Sequence, residues 1–425
     1  MQTAADWMGK PQNARPDEAG SAVRAKLRSP ASALDRWALA QIHASLADPA
    51  IRLALWDGTA AGASAEQASA SVRIADRRAL CGLLADPEMA FGDGYSDGRV
   101  EVDGSLIHLL EAAYRAAGPT PWWRRQLVAN TPRRARQNVH AHYDLGNDFY
   151  RKWLDDQLVY TCAYYARPDM TLEEAQVAKF DLVCRKLDLR PGLRVAEAGC
   201  GWGALALHMA RHHGVTVKAY NVSREQIRHA RERAAAEGLA DRVEFIEADY
   251  RAITGTFDRF ASIGMLEHVG VAQYAALGTI IDRVLDPAHG RGLLHFIGRN
   301  QAAPLSRWIT KRIFPGAYPP TLSQALDGVL VPWRWSVLDV ENLRLHYVRT
   351  LEAWLQRFEG ASLDMVGTYG ERFARAWRLY LAGSVVSFTT GSMQLFQISF
   401  AREQDNTVPW TRAGLYEGGP GGARA

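Results

Sequence analysis

Apolar positions run along this chain in two rhythms. In ALDRWALAQIHASL, residues 33–46, they recur every three or four residues, which predicts an amphipathic helix. IRLALWDG, 51–58, reads as a strand closed by a turn, and RVEVDGSLIHLLEAAYRAA, 99–117, as strand, turn and helix. Residues 33–116 therefore predict a small α+β domain, preceded by a disordered stretch, 1–32. From 138 onward the pattern changes. After helical TLEEAQVAKFDLVCRKLDL, the strand-like runs LRVAEAG, VTVKAYNV, RVEFIEAD, FDRFASIGML and GLLHFIG come between helical GALALHMARHH, SREQIRHARERAAAEG and VAQYAALGTIIDRVL. Strands alternating with helices predict an α/β domain, 138–410, built on a doubly wound parallel sheet with its ligands beyond the carboxyl ends of the strands. QLFQISFARE reads as a late edge strand. A segment rich in prolines and aromatics, about 300–335, including RWITKRIFPGAYPP, reads as a lid. The tail, 411–425, ends in GGPGGARA and is expected to be flexible.

At 425 residues the chain exceeds one ordinary core, which agrees with two domains. No apolar run reaches the ~18 residues of a spanning helix. The first twenty residues carry acids and prolines where a secretory leader needs an apolar core, so a cytoplasmic protein is expected. Cys81, Cys162, Cys184 and Cys200 lack metal-site spacing, which suits reduced thiols rather than zinc or disulfides. A net charge of +4 implies no polyanionic partner such as nucleic acid. Its distribution is more informative. WWRRQLVANTPRRARQ, within a 117–137 linker, holds five arginines and two tryptophans and no acid. It fits either a solvated connector or a surface resting on anionic lipid.

VAEAGCGWGALAL places Glu197, Gly199, Gly201 and Gly203 at a strand-to-helix turn, where glycine lets backbone approach a ligand. The spacing lacks the third glycine of G-x-G-x-x-G, and no P-loop lysine follows. An acid just ahead of such a loop resembles the methyltransferases that use S-adenosylmethionine (SAM). After the next strand stand Asn221, Ser223 and Gln226, and Ser223 doubles as a helix N-cap. Asp249, past the third strand, suits either an adenine amine or a turn. HAHYDLGNDFYRKWLDDQLVYTCAYY, 140–165, is too dense in tyrosine, acid and histidine to be all core. Glu267 falls at the end of the fourth strand and His295 at the end of the fifth, and neighbouring strand ends face one crevice, so the pair is expected in one pocket.

Seven stretches, HYDLGNDFY, LVYTCAYY, GCGWG, GMLEHVG, LLHFIG, ENLRLHYVRTLEAW and GSMQLFQ, together resemble the cyclopropane-fatty-acyl-phospholipid synthases and mycolic acid cyclopropane synthases. The resemblance spans about 138–403 in order, and residues 33–116 resemble that family's small lipid-binding domain. It implies a Rossmann-like SAM-dependent methyltransferase fold. It also implies a reaction in which an acyl-chain olefin takes the methyl carbon of SAM and a bound bicarbonate removes a proton so that a ring closes. By position the anion pocket is Cys162, Glu267, His295, the backbone of Ile297, and Tyr347. The SAM contacts are Tyr143, Tyr160, Thr161, Gly199, Gly201, Asn221, Gln226, Asp249 and Tyr250, with Glu197 meeting the amino-acid end. His268 is expected behind Glu267. The helix LSRWITKRIFPG resembles a lipid-facing segment, or else an amphipathic helix that only covers its domain. The resemblance further implies phospholipid acyl chains as substrate, peripheral membrane association and a homodimer. Methylation without ring closure, or of another small substrate, is the alternative.

Overall fold

The computed structural model describes residues 29–116 and 145–416, so Tyr143 and the arginine-rich segment fall outside the described residues. The chain forms two compact units. The smaller takes the residues before 121 together with Ser306–Pro315 and Leu351–Thr390, and the larger takes the rest.

In the smaller unit, Ser32 and Asp35 cap the helix Ala33–Leu46 reciprocally. The Asp35 carboxylate also receives Arg77 Nε and Nη2 at 2.8 and 2.7 Å, and this pairing holds it well below the usual carboxylate range. Four strands, β1 (Ile51–Ala54), β2 (Ala60–Gly62), β3 (Ala70–Ile74) and β4 (Val100–Gly104), lie in the order β2-β1-β3-β4. Ile51, Leu53, Val72, Ile74 and Val100 form the buried face with Leu39, Leu80 and Leu109 from the helices. The helix Arg307–Arg312 belongs here. Trp308 is buried against Gly92, where an added Cβ would come within 2.3 Å of its ring, and its Nε1 donates to Asp93 at 3.1 Å. Arg312 pairs with the same aspartate and Phe314 packs edge-on against Tyr380. Of the two readings of this helix, these contacts fit the one in which it covers its domain. Its aromatics are held by the protein, because Gly92 leaves a slot that fits an indole.

The larger unit carries seven strands: β5 (Arg194–Ala198), β6 (Thr216–Asn221), β7 (Val243–Glu247), β8 (Arg259–Ile263), β9 (Arg291–Gly298), β10 (Trp335–Asn342) and β11 (Gln394–Arg402). Their order is β10-β11-β9-β8-β5-β6-β7, and β5 to β9 run parallel as the sequence predicts. The edge-strand reading of 394–403 is corrected. β11 runs antiparallel between β9 and β10 and is paired on both sides. Its near-continuous burial fits that interior place. The true edge, β10, has half-exposed alternation. Its acids Asp339 and Glu341 are held by the fully buried ammonium of Lys186, at 3.0 and 2.6 Å. Lys186 ends the helix Leu172–Lys186, which opens on a Thr171–Glu174 capping box.

Candidate active site

Beyond the carboxyl ends of β5 to β8 lies one cavity. The turn after β5 forms its floor, with Gly199, Gly201 and Gly203 all left-handed, at φ +84°, +54° and +85°. They have different reasons to be glycine. A Cβ on Gly203 would sit 2.6 Å from Phe245 Cζ, so that position serves packing, whereas a Cβ on Gly201 would meet no protein atom and would stand in open space. Gly201 thus leaves a cradle that a ligand can enter.

The structure brings Tyr160, Thr161, Glu197, Gly199, Gly201, Asn221, Gln226, Asp249 and Tyr250 to this cavity. Asn221 Nδ2 donates to Gln226 Oε1 at 2.6 Å, which ties two of them into one polar wall. Ser223 caps the helix Arg224–Ala236, the plainer of its two readings. Both carboxylate oxygens of Asp249 accept from Arg251 Nη1, at 2.9 and 3.0 Å. Glu197 is buried and its Oε2 has no hydrogen-bond partner among the described residues. Burial pushes its carboxyl up to about 8, opposed by the charge of Lys179.

Lys179, Trp202 and Met265 also line the cavity, and sequence reasoning gave none of them a role. Lys179 sits at helical spacing in an amphipathic run and gives no signal by pattern. In the fold its Nζ donates to Thr161 Oγ1 at 3.0 Å, while Gln176, one turn earlier, donates to Thr161 O at 2.9 Å. Burial lowers the Lys179 ammonium to about 8. His268, expected behind Glu267, faces the cavity instead, and burial holds it neutral, near 4. The tyrosine-rich stretch is more core than its composition suggests. Phe149, Tyr150 and Trp153 are fully buried, stacking with Tyr160 and, through Tyr150, with Trp202.

The anion-pocket residues lie one step away. Glu267 begins the short helix Leu266–Val269 just past β8, and His295 on β9 stands level with Ile263 on β8. Glu267 Oε1 accepts the Ile297 N–H at 2.6 Å. The N–H expected to face an anion is thus already engaged by Glu267, and Ile297 acts by aiming that carboxylate. Glu267 Oε2 and His295 Nε2 are both buried and without a hydrogen-bond partner among the described residues. Desolvation pushes Glu267 up to about 7 and His295 down to about 3. The Cys162 thiol, 3.1 Å from Ala163 O, is raised far out of the thiolate range by burial. It is a neutral donor, not a nucleophile. Tyr347 is buried on a helix face that meets this segment. Leu343 O lies 4.0 Å from Cys162 Sγ, one turn before it, and Thr350 Oγ1 accepts Ala163 N–H one turn after.

A buried oxygen and a buried nitrogen without partners are costly. A small oxyanion relieves both, with a neutral imidazole and a protonated carboxyl donating to it. The residue types fit bicarbonate, as the Gly201 cradle and the polar wall fit SAM.

Residues 130–398 match the family model of mycolic acid cyclopropane synthetase, and 38–120 match a domain family of unknown function. The chain is 35% identical over 386 residues to a probable fatty acid methyltransferase of Pseudomonas putida, covering 86% of this chain and 96% of that one. It is 34% identical over 360 residues to the cyclopropane-fatty-acyl-phospholipid synthase of Escherichia coli K12, covering 80% and 90%. A crystal structure of the mycolic acid cyclopropane synthase CmaA1 with SAH and CTAB superposes with a TM-score of 0.60 at 31% identity, covering 63% of this chain and 98% of that one.

Proposed function

The chain belongs to the mycolic acid cyclopropane synthetase family and is a SAM-dependent methyltransferase. From that premise we propose that it adds the SAM methyl carbon to the double bond of a phospholipid acyl chain and closes a cyclopropane ring.

The observation that carries this reading is the pair of bare buried atoms, Glu267 Oε2 and His295 Nε2, beside a glycine-cradled cavity. Gly199, Gly201, Asn221, Gln226, Asp249 and Tyr250 would hold SAM, which when bound supplies the methyl carbon. An alkene is a weak nucleophile, so rate must come from alignment and from support of the cation that develops. Tyr160 and Tyr347 offer aromatic faces for that support. Cys162, Glu267, His295 and Tyr347 would hold bicarbonate, which when bound supplies the base for the departing proton. Glu267, near half-protonation at neutral pH, donates through Oε2–H, and Ile297 keeps it aimed. Acyl chains in a bilayer, reached from its surface, are supported as substrate by the phospholipid named for the Escherichia coli relative. A homodimer rests on the resemblance alone.

The Pseudomonas putida relative supports a second reading, methyl transfer without ring closure. Lipid mass spectrometry on cells expressing the chain tests both. A gain of one CH₂ unit per modified acyl chain, with ring protons in the NMR spectrum, is expected. A gain of CH₂ with a retained double bond establishes plain methylation, and unchanged lipids overturn both readings.

A further inference from the structure

β11 places an amide where a buried interior strand has no need of one. Along it Phe396, Ile398 and Phe400 join one core layer, and Gln397 points to the opposite face of the sheet. Gln397 is fully buried and stands in register with His295 on β9. Its Nε2 lies 3.2 Å from His295 Nδ1, and its Oε1 has no partner among the described residues.

This contact decides where the imidazole proton resides. A neutral imidazole carries one N–H and one lone pair. If the Gln397 amide donates to Nδ1, the lone pair is on Nδ1 and the proton on Nε2. The opposite amide orientation makes Nδ1–H donate to Oε1. It leaves two amide hydrogens bare where the first leaves one amide hydrogen and the carbonyl oxygen, and it turns an Nε2 lone pair toward the pocket. Only the first arrangement, with the amide nitrogen against Nδ1, gives an anion in the pocket a donor. Burial keeps His295 neutral at working pH, so the tautomer is the variable that matters.

We propose that Gln397 is a positioning residue that fixes His295 in its Nε2–H tautomer and so makes the imidazole a hydrogen-bond donor to the small anion held between His295 and Glu267. The inference rests on the anion-pocket reading above and extends it to a residue on another strand. In this arrangement His295 is not the base of the reaction. It holds the anion, and the proton from the methyl carbon goes to the anion.

The test separates the two levels. Protein labelled with ¹⁵N-histidine is examined by NMR, with the His295 signals assigned by their loss in His295→Asn. Wild-type protein is expected to show Nε2 protonated and Nδ1 bare, and Gln397→Glu to move the proton onto Nδ1, where the new carboxylate accepts it. In buffer freed of carbonate, the bicarbonate concentration giving half-maximal activity is expected to rise about tenfold or more in Gln397→Leu, as for other groups that orient a ligand-holding imidazole. SAM affinity by calorimetry should not change. Wild-type His295 protonated on Nδ1 overturns the proposal without need of any variant, so a misfolded variant does not shield it. An unaltered bicarbonate response in a folded Gln397→Leu also overturns it. If the tautomer is as stated but bicarbonate has no effect even on wild type, the anion reading fails and the tautomer assignment stands.

Discussion

Glu267 joins two demands in one carboxyl group. Oε1 is fixed by the Ile297 N–H, and Oε2 is buried with no hydrogen-bond partner among the described residues. Its protonation should therefore be visible twice. In the folded protein its value is raised from 4.5 to about 7, so between those limits the native state keeps a proton that the unfolded chain has released. Its stabilising contribution is complete below the lower limit and is lost as pH rises to about 7. The melting temperature of Glu267→Gln should accordingly depend less on pH across that window than that of wild type. Activity should follow the same titration. As pH rises through about 7 the Oε2–H donor becomes a negative charge that repels an oxyanion, so the half-saturating bicarbonate concentration should climb above that pH in wild type and stay level in the variant. At fixed bicarbonate, Glu267→Gln should lower kcat by about 10²-fold or more, with SAM affinity intact. Activity equal to wild type removes Glu267 from the chemistry.

The glycine turn after β5 is an element whose positions separate by role. Gly203→Ala drives a methyl into Phe245 and Ala230 at 2.6 and 2.9 Å, and should cost about 1–3 kcal/mol in urea denaturation. At Gly201 a Cβ meets no atom of the described residues, and the strain of a side chain at φ +54° should cost ~1–2 kcal/mol, yet in Gly201→Val the side chain enters the cradle and should abolish measurable SAM binding. Retained affinity in Gly201→Val places the nucleotide elsewhere. The turn itself was legible in VAEAGCGWG, as were the strands β5 to β9 and the helices between them, because buried parallel strands and amphipathic helices have different rhythms. The last two strands were not. β10 is an edge whose apolar run is broken by Asp339 and Glu341, which face the protein, and only the fold shows the buried Lys186 gathering them. β11 reads as apolar, which states that it is buried but not where it is inserted. Lys179 and Gln397 were invisible for a related reason. Each is an ordinary polar residue in an ordinary element, and its meaning comes from Thr161 or His295, brought to it across the chain.

At the scale of the whole molecule, the partition of the chain bears on how it meets lipid. Sequence pattern offers two surfaces, the helix at 305–316 and the arginine-tryptophan segment at 122–137. The smaller unit takes up the aromatics of the first, with Trp308 seated on Gly92 and bonded to Asp93, and Phe314 against Tyr380. A tryptophan held this way contributes to folding rather than to the headgroup region. Trp308→Ala should therefore destabilise the protein by about 3–5 kcal/mol and leave the affinity of folded protein for anionic vesicles near wild type. The second reading depends on charge, which Glu replacements reverse. Reversing Arg133, Arg134 and Arg136 together should weaken binding to vesicles containing phosphatidylserine or phosphatidylglycerol, more so at low salt, because each basic residue near such a surface is worth about 1 kcal/mol. The melting temperature should scarcely move. Sedimentation with vesicles, read beside thermal melts of both variants, gives the outcome. If Trp308→Ala lowers vesicle affinity while the triple reversal does not, the lipid surface belongs to the 305–316 helix and the arginines return to being a connector.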